Sequence, residues 1–384
     1  MIYLDNAATT QTKPQSAINA VVDALMNFGD AGRGTSDTAL DAGRTIHATR
    51  TKIANLFNGP SASQVVFTAN ITEALNLIVE SVLEPGDSVV TTAASHNSIL
   101  RPLYRQQKKK NINLSIVPIN ADGSLNYEAY EKALTSHTKL VIVTHGSNVT
   151  GDIYDISRMA SAAHTQNAIF ALDTAQTAGS FTCDMEADEI DILAFTGHKG
   201  LFGPQGTGGL CVSESIELAP LCVGGTGIKS YEHEQPKSMP TRLEAGTLNG
   251  HGIAGLGAGV EFVMEQGINT IHNKIAMLTD QLEQGIVSLP GLVLYGGHHE
   301  FSRAGIVAFN YRNIDSAIIA DILARDYGIA SRAGAHCAPL MHEALGTKQQ
   351  GIVRLSLSYF TTEEEILKTI EAITQIVSSF EEEV

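Results

Sequence analysis

Residues 191–209 read DILAFTGHKGLFGPQGTGG and place Lys199 between an apolar run and a glycine-rich turn. The run 190–195 is short, apolar and followed by turn residues, which predicts a buried strand. A lysine is a nucleophile only without its proton, and partial burial beside other cations lowers its pKa. Taken alone, the motif fits a solvated turn lysine better than an amine kept for covalent chemistry. The rest of the chain reverses that preference.

On the N-terminal side of this segment, helical patterns alternate with short apolar runs. Helices are predicted over 15–27, 36–57, 71–83 and 98–108, and strands over 64–68, 88–92, 112–117, 139–144 and 168–172. Strands that alternate with helices predict an α/β fold with a mainly parallel sheet.

The pattern changes after about residue 250. Longer helical stretches are predicted over 250–265 and 270–288, strands over 292–295, 305–309 and 352–357, and a closing helix over 361–380. We therefore expect a large domain over 15–255 and a smaller α+β domain over 256–384. The N-terminal segment 1–14 should pack near their junction.

Composition excludes several classes of function. The 384 residues carry 25 Lys and Arg against 41 Asp and Glu, a net charge of -16, so nucleic acid and anionic membranes are unsuitable partners. No apolar stretch is long enough to span a bilayer and no leader is apparent, so we expect a cytoplasmic protein. Of the four cysteines, only Cys337 lies in a polar segment, and no Cys-x-x-Cys pair suggests a metal or disulfide site.

Polar side chains follow five of the predicted strands. These groups are Asn70 to Glu73, His96 to Ser98, Asn148, Asp173 to Gln176, and Thr196 to Lys199. Because open parallel sheets bind ligands beyond the carboxyl ends of their strands, we expect these groups to meet in one crevice.

The residue types in this crevice suit a small phosphorylated cofactor. Thr72 opens a helix whose free N-H groups could hold a phosphate, although the same residues also describe an ordinary capped helix. Asp173 is either a helix cap or a partner for a buried cation, such as the protonated ring nitrogen of pyridoxal phosphate. Gln176 could then reach the ring hydroxyl, and His96 could stack on the ring. The sequence contains no P-loop motif and no convincing dinucleotide-binding glycine motif.

With Lys199, Asp173 and His96 placed in this way, the chain resembles the class V aminotransferase superfamily of fold-type I pyridoxal phosphate enzymes, and within it the cysteine desulfurases. The matching segments run nearly from end to end: Tyr3 to Thr10, Thr72 to Asn76, His96 to Ser98, Ser147 to Gly151, Asp173 to Gln176, Gly197 to Lys199, Glu244 to Thr247, Arg332 to Cys337 and Arg354 to Ser358. Each segment is weak evidence alone, but nine in the family's order are strong evidence. The resemblance implies a mainly parallel seven-stranded sheet in the large domain.

The resemblance also implies a role for each site residue. Lys199 would bind pyridoxal phosphate covalently and Asp173 would pair with its ring nitrogen. The remaining cofactor contacts would be Gln176 and Asn148 on the ring hydroxyl, His96 on the ring face, and Thr72, Thr196 and His198 on the phosphate. Thr247 would reach the phosphate of a neighbouring subunit, which implies a homodimer with active sites at the interface. Arg354 would bind the substrate carboxylate, with Asn6, Ala8 and Arg332 on the substrate side.

Within this superfamily, Cys337 indicates a resemblance to the cysteine desulfurases and not to the aminotransferases, because aminotransferases need no thiol there. The implied activity converts L-cysteine to L-alanine and leaves the sulfur on Cys337 as a persulfide, for a sulfur-acceptor protein such as one serving iron-sulfur cluster assembly. Lys199 would move the Cα proton, and His96, or else His336, would take the thiol proton.

Several alternatives remain open at this stage. The short loop after Cys337 resembles one desulfurase branch and the segment 354–366 resembles the other, so the acceptor is not fixed. A selenocysteine lyase or another C-S lyase would have almost the same site. An aminotransferase and a non-catalytic cofactor-binding regulator fit the nucleophile pair Lys199 and Cys337 less well.

Overall fold

The computed structural model describes residues 1–29, 34–296 and 303–382. Its centre is a seven-stranded sheet, which confirms the fold predicted for the large domain. The strands are β2 Val65–Thr68, β3 Ser88–Thr92, β4 Asn113–Val117, β5 Thr138–Thr144, β6 Ile169–Asp173, β7 Ile192–Thr196 and β8 Gly208–Val212. Their order is β2-β8-β7-β6-β5-β3-β4, and only β8 runs antiparallel to its neighbours.

Helices cover both faces of this sheet, because its inner strands are apolar on both sides. Along β5, Leu140 and Ile142 belong to one buried cluster while Val141 and Val143 belong to another, as the two-residue period of a strand requires. The helices are α1 Gln15–Asn27, α2 Asp37–Leu56, α3 Ile71–Val82, α4 Asn97–Lys110, α5 Tyr127–Ala133, α6 Ile156–His164 and α7 Gly250–Gln266. Helices α1 and α2 pack on α7, and α3 packs on α4.

The C-terminal part has its own sheet and its own core. Strands β9 Leu292–Tyr295, β10 Ile306–Tyr311 and β12 Val353–Ser356 pair antiparallel in the order β12-β10-β9. Its helices are α8 Ile268–Ile286, α9 Ser316–Tyr327, α10 Pro339–Ala344 and α11 Glu363–Glu382. Among the described residues, none of the helices is both long and apolar enough to cross a membrane.

The first ten residues contact both parts of the chain. Strand β1 Ile2–Tyr3 pairs parallel with β11 Ile329–Ala330, and the Leu4 carbonyl accepts a hydrogen bond from Ser356 N at 2.7 Å. Thr10 N donates to the carbonyl of His198 at 3.0 Å. The N-terminal segment therefore connects the Lys199 turn to the β12 strand, which carries Arg354.

Strand β8 was not predicted, because its sequence GGLCV starts with two glycines that weaken a strand. The structure shows why Gly209 is suited to its position. A Cβ atom there would lie 2.2 Å from the Val66 carbonyl oxygen and 2.7 Å from the Phe195 ring. The close approach of β2 and β7 to β8 therefore requires glycine at position 209, and glycine is also the residue that makes this strand hard to predict from the sequence.

Candidate active site

A cavity of about 760 Å³, counted with the part open to solvent, lies at the carboxyl ends of the parallel strands. Five strand ends contribute to it, as the sequence predicted. Of the predicted site residues, those that line the cavity are Ala8, Thr72, His96, Asn148, Asp173, Gln176, Thr196, His198, Lys199, Arg332, Cys337 and Arg354. The topology therefore gathers side chains spread over almost 350 residues of sequence.

The Lys199 side chain lines this cavity and has a reactive amine. Its pKa is lowered to about 8, mainly because the surrounding protein desolvates the amine; the Asp173 carboxylate acts in the opposite direction, and Arg354 and Arg332 add to the lowering. The preceding residue is held firmly, because the His198 carbonyl accepts hydrogen bonds from Thr10 N at 3.0 Å and from Lys13 Nζ at 2.8 Å. Lys199 thus combines a fixed backbone with a partly neutral amine near physiological pH.

Asp173 ends strand β6, is buried, and lines the same cavity as Lys199. Burial raises its pKa, whereas the Ala175 N-H, which donates to Oδ1 at 2.9 Å, and Lys199 lower it. A buried carboxylate with few donors is suited to hold a cation or a proton on a ligand. Gln176 lies in the same turn and donates from Nε2 to the Ala7 carbonyl at 3.2 Å.

His96 caps the N-terminus of helix α4 with its ring nitrogen. Nδ1 accepts the Ser98 N-H at 3.0 Å, so the neutral ring carries its proton on Nε2. Burial, and then the positive charges of Lys199, Arg332, Arg101 and Arg354, lower its pKa to about 4. His96 therefore presents a neutral, flat ring with a hydrogen-bond donor, and it can act as a base only after its tautomer changes.

One end of the cavity can hold an anion. The first turn of α3 carries Thr72, and its cap Asn70 accepts the Glu73 N-H at 3.1 Å. Thr196 Oγ1 is buried and has no hydrogen-bond partner among the described residues. Helix N-terminal N-H groups and an unpaired buried hydroxyl together suit a phosphate. His198 completes this end, with Nδ1 lying 3.0 Å from Thr9 Oγ1.

Arg354 lies almost completely buried in strand β12, with 2% of its surface exposed. Its Nη2 donates to Asp5 Oδ1 at 2.8 Å and its Nη1 donates to the Asn148 carbonyl at 2.9 Å. Its Nε is buried without a partner among the described residues. The guanidinium group thus keeps unused donor capacity beside the cavity, while Arg332, whose backbone pairs with that of Arg354, is itself exposed.

Cys337 is exposed and lies on a tightly held loop. Both His336 and Cys337 adopt left-handed backbone conformations, with φ of 47° and 59°, which costs energy for residues other than glycine. Three hydrogen bonds stabilise the loop: Asn148 Nδ2 to the His336 carbonyl at 2.6 Å, Asn97 N to the Cys337 carbonyl at 2.8 Å, and His336 Nε2 to the Ile352 carbonyl at 3.0 Å. The thiol is therefore presented at a defined position at the cavity wall.

Two of the predicted residues lie outside this cavity. Asn6 lines an adjoining cavity together with Lys199 and Gln176, and its amide donates to the Ser356 carbonyl at 2.9 Å. Thr247 lines a separate cavity next to the buried ion pair between Arg50 and Glu244. The structure holds a single chain, so the contact of Thr247 with a neighbouring subunit stays a prediction.

Sequence reasoning missed three contacts that shape the site, although Asn148 itself was predicted to lie there. Asp5 holds Arg354, Asn97 holds the Cys337 carbonyl, and the Asn148 amide nitrogen holds the Cys337 loop. Asp5 lies in the matched N-terminal segment, but only its pairing with Arg354, 349 residues later, shows what it does.

Comparison with known proteins agrees with this geometry. The family model described as Aminotransferase class-V matches residues 2–368. The chain belongs to the class-V aminotransferase family. A protein named "Probable cysteine desulfurase" from Methanothermobacter thermautotrophicus is 34% identical over 382 residues, which cover 98% of this chain and 94% of that protein. A "Cysteine desulfurase" from Enterobacter sp. is 33% identical, with 98% and 93% covered.

Solved structures of this family share the fold. The apo structure of cysteine desulfurase from Thermococcus onnurineus superimposes with a TM-score of 0.92 at 30% identity, covering 98% of this chain and 95% of that chain. The Escherichia coli cysteine desulfurase CsdA, crystallised as its S-sulfonic acid, gives a TM-score of 0.87 at 27% identity, with 98% and 94% covered.

Proposed function

We propose that this protein is a pyridoxal phosphate-dependent cysteine desulfurase, which converts L-cysteine to L-alanine and retains the sulfur on Cys337. One observation carries the proposal: a reactive amine, Lys199, and an exposed thiol, Cys337, line the same cavity beside a buried arginine with unused donors. A lysine alone would fit many enzymes of the family. The thiol adds an acceptor for sulfur.

The residues at the cavity fit pyridoxal phosphate. The amine of Lys199 would bind its aldehyde carbon, and Asp173 would keep its ring nitrogen protonated. His96 would stack on the ring, and Gln176 and Asn148 would face the ring hydroxyl. The phosphate would lie at the end with Thr72, His198 and the Thr196 hydroxyl, which has no hydrogen-bond partner in the part of the chain that the structure describes. When bound, the cofactor acts as an electron sink that makes the substrate Cα proton acidic and weakens the bond to its Cβ sulfur.

The protein's own groups would carry out the rest of the reaction. Arg354 would bind the substrate carboxylate, with Asn6, Ala8 and Arg332 on the substrate side. Lys199 would take the Cα proton, since its lowered pKa leaves a useful fraction of neutral amine. The Cys337 thiolate would attack the substrate sulfur, so that the S-S bond forms as the C-S bond breaks, and protons return to the carbon product to give alanine.

We further propose a homodimer in which Thr247 contacts the cofactor phosphate of the neighbouring subunit. We expect the enzyme to act in the cytoplasm and to pass its sulfur to an acceptor protein. The cavity that holds Thr247 supports this, because it is separate from the one in which this chain's own Lys199 lies. The proposal includes the domain organisation expected from the sequence: an N-terminal segment 1–14, a large domain 15–255 and a small C-terminal domain 256–384.

Turnover tests the proposal. The cofactor-loaded protein should form alanine and sulfide in equal amounts from L-cysteine in the presence of a reductant. The Cys337→Ala variant should keep the bound cofactor but lose sulfide formation, and Lys199→Ala should lose the cofactor's visible absorbance. Full sulfide formation by Cys337→Ala would contradict the proposal, and turnover of L-selenocysteine with no turnover of L-cysteine would assign the site to selenium chemistry instead.

A further inference from the structure

Cys337 lies between two cavities. It lines the inner cavity with Lys199, and it also lines an open outer groove of about 650 Å³. Helices α3 and α4 form that groove, with Asn76, Asn97, Arg101 and Arg105 among its lining residues. A sulfur atom placed on Cys337 from the inside is therefore accessible from the outside through this groove.

The groove is positively charged in a strongly acidic protein. Helix α4 carries five Lys and Arg and no Asp or Glu in its 14 residues, whereas the whole chain has a net charge of -16. Local charge of the opposite sign to the net charge is the usual mark of electrostatic guidance of a partner. Arg101 and Arg105 line the groove, so part of this positive charge lies in the groove itself.

The charges follow one face of the helix. Asn97, Arg101, Arg105 and Lys108 are spaced by four, four and three residues, so they share a stripe that extends about 16 Å from the first residue to the last. The stripe begins at the thiol, because Asn97 N donates to the Cys337 carbonyl at 2.8 Å.

Two of these cations are available to a partner. Arg105 pairs with Glu80, which also lies 3.8 Å from Lys109. Arg101 and Lys108 are exposed and form no ion pair with a described residue. An incoming acidic group would therefore not have to displace a carboxylate from either of them.

We propose that the α4 stripe is the docking surface for the sulfur acceptor, and that this acceptor is a protein presenting its thiol within an acidic segment. This inference rests on the proposed function, because it assumes that Cys337 carries transferable sulfur. The acceptor thiolate attacks the outer sulfur of the Cys337 persulfide, the S-S bond breaks, and the Cys337 thiolate leaves.

Synthetic peptides test this surface. Two peptides of equal length, each with one cysteine, are compared: one has aspartates and glutamates around the cysteine, and the other has lysines and arginines. The cofactor-loaded enzyme is supplied with L-cysteine, and peptide persulfide is measured by mass spectrometry. At low salt we expect the acidic peptide to react about tenfold faster, although the enzyme's net charge repels it, and the difference should disappear at high salt.

Charge reversal locates the effect. Arg101→Glu and Lys108→Glu should each reduce the preference for the acidic peptide, with every rate normalised to the same variant's rate with dithiothreitol. Lys139→Glu is the matched control, because Lys139 is exposed at the start of β5, the end of the sheet away from the cavity. It should leave both the preference and the basal activity unchanged.

The outcomes separate this inference from the proposed function. Persulfide on Cys337 with equal rates for both peptides, or with a preference that survives both Arg101→Glu and Lys108→Glu, would overturn the docking surface alone. Absence of any persulfide on Cys337 would overturn the proposed function.

Discussion

The lowered pKa of Lys199 gives a quantitative prediction about how the protein captures its cofactor. A neutral amine attacks an aldehyde and a protonated one does not. A lysine with its ordinary pKa of 10.5 is about 0.03% neutral at pH 7, whereas one with a pKa of about 8 is about 10% neutral. The shift alone therefore gives Lys199 about 300-fold more neutral amine than a lysine of ordinary pKa has at that pH.

The assay is reductive trapping. Cofactor-free protein is mixed with pyridoxal phosphate and cyanoborohydride at a series of pH values, and the modified lysines are counted by peptide mass spectrometry. Modification of Lys199 should rise about tenfold per pH unit below pH 8 and level off above it, and at pH 7 it should far exceed modification of the exposed Lys139. In Arg332→Gln, loss of a positive charge that lowers the Lys199 pKa should move the midpoint to higher pH.

Two results would refute this reasoning. A Lys199 midpoint near 10.5 would show that desolvation does not control the amine. Equal modification of Lys199 and Lys139 at pH 7 would show that exposure alone decides reactivity and that the cavity gives no advantage.

Three more predictions concern the supporting residues. Asn148→Ala removes a 2.6 Å hydrogen bond to the Cys337 loop, so sulfur transfer should slow about tenfold while the cofactor absorbance is retained; an unchanged single-turnover rate would exclude this positioning role. Glu244→Ala leaves the buried Arg50 guanidinium without its paired carboxylate and should lower the free energy of unfolding by about 3–5 kcal/mol in urea titrations, and a loss below about 1 kcal/mol would be inconsistent with the ion pair. Nitrogen NMR should find the His96 ring neutral, with its proton on Nε2, down to about pH 5, because its pKa is lowered to about 4; a charged ring at pH 6 would show that the cap geometry is wrong.

Strand ends could be predicted well, because the period of apolar residues and the turn signals are local. Asp173 directly follows one apolar run and Lys199 comes four residues after the end of another, and parallel pairing of β6 and β7 places those runs side by side. The rule that ligands bind at the carboxyl ends of such strands then brings the polar groups together without any knowledge of side-chain positions.

Interactions between distant segments could not be predicted in this way. Nothing local to Asp5 indicates that it pairs with Arg354, because the contact depends on β12 lying beside the N-terminal segment. The left-handed backbone at His336 and Cys337 is similarly hidden, since the hydrogen bonds that stabilise it involve Asn148, Asn97 and Ile352, which are distant in sequence. Long-range contacts of this kind shape the nucleophile loop.

The most direct test of the account is a single turnover without reductant. The cofactor-loaded protein is mixed with less than one equivalent of L-cysteine, alanine is quantified, and the protein is digested and analysed by mass spectrometry. We expect one extra sulfur atom on Cys337 for each alanine formed, with none on Cys183, Cys211 or Cys222. Alanine formed at the same rate by Cys337→Ala, or extra sulfur on any other cysteine, would contradict it.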